Sequence, residues 1–418
     1  MTRVLFLAES FHPVLGGGEQ HIRALGARLV AAGMPATVLT RRGEGAWPAE
    51  EILDGIRVLR VGPTGPGRTG KYAMVPVALV ALARARASFD VLVVRGTRVL
   101  GLPGLVAVRL LGKAVVLQPE LNGEMSGEVY TWGTRLAGGL ADRLLRGATA
   151  WRNVLLRDAD AFVTMSRQIR DELLAAGVSP EKIAHIPHGV DTEVFRPAGS
   201  AERLALRRRL RLPEEGCLII YTGRLLRGKG LETLVGALAA LAPGHPEAHL
   251  LLVGSGAGQA LSVEAELRER IEKAALGRRV SFTGRVDNVS DYLRASDVFV
   301  FPSEFEALGI SLVEAASCGL PCVGSRTGGI VDVIEDGRSG ILFGAGDVQG
   351  LAAALARLLG DSATREEMGA RARGVALARF DARDSVDRYL CLFREVSCRS
   401  SLSWSSGRAA RGGAAPPR

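Results

Sequence analysis

The chain opens with Val4-Leu5-Phe6-Leu7-Ala8, an unbroken apolar run that predicts a parallel strand covered on both faces. Gly16-Gly17-Gly18 follows, then Ile22, Leu25 and Leu29 on one helical face, closed by Gly33. Ala36–Leu39 predicts the next strand. The same alternation predicts strands near Arg57–Val61, Asp90–Val94, Ala114–Leu117, Asp160–Thr164 and Lys182–Ile186. It pauses over Pro187–Pro197, passes a basic helical stretch, and restarts. Strands are then expected at Cys217–Tyr221, Ala248–Val253, Val280–Thr283, Asp297–Phe301 and Pro321–Val323. Between the first two of these, Leu231, Leu234, Val235 and Leu238 recur at i, i+3, i+4 and i+7, as an amphipathic helix requires. Strands alternating with helices predict βαβ units in doubly wound parallel sheets.

At 418 residues the chain exceeds what one compact core usually holds, so two domains are expected. The pause in the pattern divides them into 1–190 and 191–376. A last helical stretch, 377–396, with its clearest pattern over Asp384–Val396, precedes a Ser/Arg/Gly/Pro-rich tail, 397–418. That tail has too little apolar content to fold and is expected to be disordered and basic. The formal net charge of +9 points to anionic partners: phosphates, acidic glycans or an anionic membrane surface. Aromatic residues at 5%, with no basic–aromatic motif, argue against nucleic acid. No stretch offers the ~20 uninterrupted apolar residues of a membrane span. No CxxC pair occurs among Cys217, Cys318, Cys322, Cys391 and Cys398. A cytoplasmic protein with reduced thiols is expected, soluble or peripheral on the inner face of a membrane.

Four constellations carry chemistry. Gly16-Gly17-Gly18-Glu19-Gln20-His21 puts glycines at a helix start, where backbone N–H groups and the helix dipole favour phosphate; a tight turn without ligand is the alternative. Thr222-Gly223-Arg224-Leu225-Leu226-Arg227-Gly228-Lys229-Gly230 lacks Walker spacing, yet sets cations before a helix N-terminus. They oppose the dipole there unless an anion joins them, so a diphosphate is expected, with a solvated basic loop as the alternative. Gly254-Ser255-Gly256-Ala257-Gly258 suits a phosphate cradle or a plain turn equally. Phe301-Pro302-Ser303-Glu304-Phe305-Glu306-Ala307-Leu308-Gly309-Ile310-Ser311-Leu312-Val313-Glu314-Ala315 is the most informative. Glu306 lies in a loop and Glu314 inside an apolar helix, where a carboxylate needs donors such as ribose hydroxyls; a pair of surface glutamates is the alternative. Asp158-Ala159-Asp160 mimics a metal-binding DxD, but its place between a helix end and a strand reads as a turn. No metal site is expected.

The Glu306-x7-Glu314 spacing is followed by Ala315-x-x-x-Gly319-x-Pro321 and Gly328-Gly329. Together with Gly17, Gly18 and His21, Pro187-x-Gly189-x-Asp191 and Gly223-Arg224…Lys229-Gly230, it resembles the retaining glycosyltransferases of family 4, also called glycosyl transferases group 1. The resemblance spans roughly Met1 to Val396. It implies a GT-B fold, with two Rossmann-like domains facing across a cleft and a final helix returning to the first. Carried over, Arg224 and Lys229 contact the donor diphosphate, Glu314 the ribose, and Glu306 the donor sugar at the reacting centre. Gly254 and the main chain at Arg285-Val286 lie toward the nucleotide. Gly17 and Gly18 close over the phosphates, and the amides around Leu308, Gly309 and Ile310 face the leaving group.

Many members carry a His after the fourth amino-terminal strand; the matching stretch here is Val116-Leu117-Gln118-Pro119-Glu120. Gln118 and Glu120, with His21, stand as candidate acceptor-side residues. The implied reaction is transfer of a hexosyl group from a UDP- or GDP-sugar to a glycan, lipid or small molecule, with retained configuration and no metal or other cofactor. The rivals are an epimerase or phosphorylase-like user of the same architecture, and a catalytically silent nucleotide-sugar binding module. Because Arg224, Lys229, Glu306 and Glu314 are all present, an active transferase is expected. Acceptor choice falls to Arg41–Gly70 and Asn122–Trp151, which carry no readable code. Trp132, Trp151 and the arginines between them suit either a membrane-facing or a solvated helix.

Overall fold

The computed structural model describes residues 1–14, 16–65, 70–128, 139–259 and 261–411, with only the backbone described from residue 400. The chain forms two compact units. Met1–Ile186, joined by the chain from Ser385 onward, makes the first; Pro187–Asp384 makes the second. The division thus falls at the start of the Pro187–Pro197 stretch where the pattern pauses.

The first unit is built on an eight-stranded sheet. Its strands are β1 (Val4–Ala8), β2 (Ala36–Arg41), β3 (Glu50–Leu53), β4 (Ile56–Val61), β5 (Val91–Arg95), β6 (Ala114–Gln118), β7 (Ala161–Thr164) and β8 (Ile183–His185). Their order is β3-β4-β2-β1-β5-β6-β7-β8, and every pairing is parallel except β3 with β4. Strands β1, β5 and β6 are buried at every position, as continuous apolar runs covered on both faces must be. The antiparallel β3 is absent from the sequence reading. Its burial alternates, and Asp54-Gly55, both at positive φ, turns it into β4.

One face of this sheet packs Phe6, Val93 and Val116 against Ile22, Leu25 and Leu29 of the helix Gly17–Ala31. The same cluster takes in Val386, Tyr389, Phe393 and Val396 of the last helix, Ala382–Arg411. Phe6 meets Phe393 edge to face at 6.4 Å between ring centres. That helix does not stop at Val396. The segment expected to be a disordered tail from Ser397 continues the helix to Arg411, with no proline before Pro416 to end it; residues 412–418 lie outside the described chain. The opposite face packs Leu5, Leu92 and Leu117 against helices Gly70–Arg84, Gly101–Leu111 and Leu140–Leu156.

The second unit carries β9 (Cys217–Thr222), β10 (Ala248–Val253), β11 (Val280–Gly284), β12 (Val298–Phe301), β13 (Cys322–Ser325) and β14 (Gly340–Phe343). All pairings are parallel, in the order β11-β10-β9-β12-β13-β14. This is the doubly wound order, in which connections reverse between β9 and β12 and leave a crevice at the strands' carboxyl ends. β14, too short and glycine-led to stand out, is the other strand missed in the sequence. Among the described residues no helix is long and apolar enough to cross a membrane.

Candidate functional site

In the second unit the loops after β9 and β12, which flank the switch point, hold the cationic and acidic candidates. Gly223 to Gly230 leaves β9 and enters the helix Leu231–Leu241. The loop is fixed against its neighbour: the Glu304 amide donates to the Gly228 carbonyl at 3.0 Å. Gly230 passes so close to the β12 loop that a Cβ there would lie 1.9 Å from the Pro302 carbonyl oxygen, so no side chain fits. This approach brings Lys229 to Glu306, with Nζ 2.8 Å from Oε2. The pair joins residues 77 apart in sequence.

Arg224 differs. Its exposed guanidinium has no hydrogen-bond or ion-pair partner among the described residues, whereas Arg227 is paired with Glu266. Beneath it the buried Tyr221 hydroxyl donates to the Arg224 carbonyl at 3.1 Å and fixes the start of the loop. The loop carrying Glu306 is pinned from the β13 side. Ser325 Oγ donates to the Ser303 carbonyl, Thr327 Oγ1 to the Glu304 carbonyl, and the Gly329 amide to the Glu306 carbonyl. This explains the sequence Gly328-Gly329: a Cβ at Gly329 would lie 2.3 Å from the Ala307 carbonyl oxygen.

Helix Ile310–Ser317 begins after Gly309, with the amides of Leu308 and Gly309 lacking acceptors among the described residues. Orphan N–H groups and the positive end of the dipole there suit an anion. Glu314 sits one turn inside, between the buried Val313 and Ala315. Its carboxyl group has no partner among the described residues, and desolvation pushes it up to about 8. An unpartnered carboxyl in such surroundings is a strong hydrogen-bonding site for hydroxyl groups.

The remaining second-unit candidates are less committed to a ligand. The Gly254 amide donates to the Gly284 carbonyl at 2.9 Å and Gly223 to Val253, so these glycines knit three strand ends together. Of the two readings open for Gly254, the turn is the one its amide serves. Arg285 is exposed and Val286 half-buried, directly after β11. Burial raises the thiols of Cys217 and Cys318, each to about 12, and that of Cys322 as well, so none is a thiolate near neutrality.

In the first unit Gly17 and Gly18 are the first residues of their helix, at the carboxyl end of β1. A buried arginine that the sequence reading passed over organises this end of the sheet. Arg95, the last residue of β5, donates from Nε to Glu120 Oε1 at 2.8 Å and meets His21 Nδ1 through Nη1 at 3.2 Å. A guanidinium only donates, so His21 Nδ1 accepts, and the ring proton lies on Nε2. A Cβ on Gly18 would come within 3.2 Å of Glu120 Oε1, so the glycine keeps that carboxylate open. Gln118 Nε2 donates to the Tyr389 hydroxyl at 3.2 Å. The sequence signal for Arg95 was a single charge closing an otherwise apolar strand, ahead of Gly96.

Glu124, a second residue passed over, is fully buried and accepts four hydrogen bonds. Thr97 N–H and Oγ1 donate at 2.7 and 2.8 Å, and the amides of Glu120 and Leu121 at 3.0 and 3.1 Å. It ties the loop after β6 to the loop after β5. Asp158 and Asp160 are both bound to Arg109, at 2.7 and 3.3 Å, and Asp160 also accepts the Val115 amide. They brace a helix against the sheet. Among the described residues no group of three His, Cys, Asp or Glu could hold a metal ion. Trp132 and the rest of 129–138 lie outside the described residues.

Two family models cover both units: Glycosyltransferase Family 4 over residues 15–194, and Glycosyl transferases group 1 over 202–375. N-acetyl-alpha-D-glucosaminyl L-malate synthase of Bacillus anthracis is 30% identical over 278 residues, 65% of this chain and 70% of that protein. The chain belongs to this glycosyltransferase family. Curated relatives of higher local identity, 36% and 33%, are matched over only 41% and 52% of their own length, so the chain spans about half of them. The fold of this glycosyltransferase is that of sucrose-phosphate synthase from Thermosynechococcus elongatus, at TM-score 0.81 and 25% identity over 96% of this chain and all of that one. Anabaena Alr3699/HepE, solved in complex with UDP-glucose, matches at TM-score 0.70 and 20% identity over 97% of this chain and 100% of that chain. The two parallel-sheet units are therefore those of a GT-B glycosyltransferase.

Proposed function

We propose that this glycosyltransferase moves a hexosyl group from a UDP- or GDP-sugar to a glycan, lipid or small-molecule acceptor, with retention of configuration and without a metal ion. One observation carries the reading. The second unit sets an arginine and a high-pKa carboxyl, both without partners among the described residues, and a Lys–Glu pair on the loops and helix that flank its topological switch point. These are the charges a nucleoside diphosphate-sugar would complete. Anabaena HepE, similar in fold, is solved with UDP-glucose, which supports a donor of that class.

Breaking the sugar–phosphate bond builds negative charge on the departing diphosphate. Arg224, Lys229 and the amides of Leu308 and Gly309 are the groups available to stabilise it. A diphosphate recruiting Lys229 would draw it from Glu306, leaving that carboxylate to act at the sugar. Glu314 accepts from ribose hydroxyls. Retention follows from front-face attack, with the leaving phosphate taking the acceptor's proton. His21, Gln118 and Glu120 are the acceptor-side groups of the first unit.

The test is a thermal-shift screen of UDP-, GDP- and ADP-sugars, followed by turnover of the best donor in excess EDTA. Stabilisation by one sugar nucleotide, and activity that survives the chelator, are expected. Failure of all of them at millimolar concentration would sink the donor reading. Activity restored only by Mn²⁺ or Mg²⁺ would remove the role given to Arg224 and Lys229.

A further inference from the structure

Of the three acceptor-side groups in the first unit, only Glu120 is substantially exposed. Gln118 is fully buried and donates to the Tyr389 hydroxyl, and His21 is buried with Nδ1 held by Arg95. The Glu120 side chain is 34% exposed and lies over Arg95, which is 1% exposed. Arg95 engages one carboxylate oxygen only: Nε donates to Oε1 at 2.8 Å, and Nη2 lies 2.7 Å from the same atom. Oε2 has no hydrogen-bond partner among the described residues.

Two glycines leave that carboxylate open. Gly18 stands beside Oε1, and on the other side a Cβ at Gly96, whose φ is 76°, would meet Oε2 at 3.7 Å. Gly18 opens the helix after β1 and Gly96 follows β5, so the carboxylate sits where the connections of this sheet change direction. Its main chain is fixed as well, because the Glu120 amide donates to the buried Glu124 carboxyl group at 3.0 Å. A carboxylate held by its backbone and by one oxygen, with the other bare, is a preorganised hydrogen-bond acceptor.

Such an oxygen only accepts, so its partner must donate. The hydroxyls of a sugar or cyclitol do. A phosphate group near neutral pH brings acceptor oxygens and a like charge. The neighbouring cations do not reverse this preference. Arg95 is engaged by Glu120 itself, and the charge of Arg98, on the same loop as Gly96, acts on the buried Glu124. Glu19, bound to Ser10 Oγ, brings a second carboxylate to the same helix start.

We propose that Glu120 Oε2 receives a hydroxyl of the acceptor, that the acceptor is a sugar or cyclitol with no anionic group at that point, and that Arg95 is the positioning residue that aims the carboxylate. This assignment rests on the transferase reading and gives its acceptor a chemical class.

Acceptors that differ in charge alone test it: glucose with glucose 6-phosphate, and myo-inositol with inositol 1-phosphate. Each is added to the full chain with the sugar nucleotide that it hydrolyses in the absence of acceptor. The neutral member of at least one pair should raise release of the nucleoside diphosphate above acceptor-free hydrolysis. Its phosphate should be at least about tenfold less effective, as juxtaposed like charges require. Glu120→Gln, a change of charge on a partly exposed side chain, should raise the KM of the neutral acceptor about tenfold and narrow the gap within the pair. Arg95→Lys keeps a cation beneath Glu120 but loses the fork, so it should raise the same KM by a smaller factor with kcat retained. An unchanged KM in Glu120→Gln would overturn the proposal, as would a phosphorylated acceptor that outperforms its neutral parent. An unchanged KM in Arg95→Lys would remove the positioning role. Hydrolysis of a sugar nucleotide that no neutral polyol stimulates, even at high concentration, would sink the acceptor assignment alone. Hydrolysis of none would sink the transferase reading and this assignment with it.

Discussion

Two desolvated glutamates, Glu124 buried in the first unit and Glu314 half-buried in the second, show how differently the halves use the same chemistry. Burial raises both carboxyl groups above the ordinary range. Glu124 in the first unit is met by four protein donors; Glu314 in the second is met by none among the described residues. Glu124 is thus a structural clamp whose hydrogen-bonding capacity is fully used within the protein. Glu314 is a half-buried carboxyl whose desolvation a ligand's hydroxyl donors would offset. The contrast extends to the cations: Arg95 is buried in a network with Glu120 and His21, whereas Arg224 is exposed and without a partner among the described residues. Polar groups left unsatisfied near a switch point mark where a ligand belongs, and satisfied ones mark what holds the scaffold in shape.

The largest expected effect tests the Lys229–Glu306 pair. Glu306→Gln keeps the shape but removes the charge acting at the sugar, so kcat should fall by about 10²-fold or more. The affinity for UDP or GDP should stay near that of the parent, because Lys229 keeps its charge. Steady-state kinetics with calorimetry on the free diphosphate separates the two. A loss confined to diphosphate affinity would move Glu306 from the sugar to the phosphates.

Next comes the clamp. Glu124→Ala strands the two buried Thr97 donors, the Glu120 and Leu121 amides being within reach of water, and a stranded buried group costs ~1–3 kcal/mol. Their sum is tempered by relaxation, so stability should drop by roughly 2 kcal/mol or more, read as a lower denaturant midpoint. Glu314→Gln should leave stability unchanged or higher at pH 8, since it removes a carboxylate that burial disfavours. If both variants destabilise equally, the distinction between the two glutamates fails.

Much of this contrast was hidden in the sequence. The alternation of apolar runs and helical periods made the two parallel sheets legible, because strands covered on both faces leave an unbroken apolar signature. β3 left none, being an exposed edge with alternating burial; the Asp54-Gly55 pair that turns it was the signal available. Glu306, Lys229 and Glu314 stand out as residues, but the Lys229–Glu306 pair depends on the pairing of β9 with β12, which no local pattern encodes. Arg95 and Glu124 lacked any periodic mark, and only their burial reveals what they organise.

A smaller effect is expected on nucleotide affinity. Glu314→Ala removes hydrogen bonds from ribose to a charged group, worth ~1.5–3 kcal/mol, so affinity for the diphosphate should fall roughly 10- to 150-fold. Arg227→Ala, which removes a surface arginine already paired with Glu266, should change affinity little. Calorimetry on both variants checks the pair. Equal losses would mean that the loop acts through its overall charge rather than through particular contacts.

The smallest expected effect is a pH dependence that follows from Glu314 alone. In the free protein its carboxyl group titrates at about 8, so most of it is protonated at pH 7. Ribose hydroxyls donating to the ionised form would favour it and lower that pKa. Binding should therefore release a proton, and affinity should rise with pH until the free group is ionised, then level off above pH 8. Between pH 7 and pH 8.5 the gain is limited to several-fold, because the ionised fraction changes by no more than that. Phosphate ionisation, near pH 6, is complete across this window and cannot imitate the effect. Stability of the free protein should run the other way. The folded pKa lies above the unfolded carboxylate value, so the folded state holds the extra proton between about 4.5 and 8 and loses stability as pH rises through that range. Calorimetry in buffers of different ionisation enthalpy reads the proton count directly. Proton release near pH 7 that vanishes in Glu314→Gln would tie the effect to this residue. An affinity flat from pH 7 to 8.5 would mean that the nucleotide never meets Glu314 as an ionised acceptor.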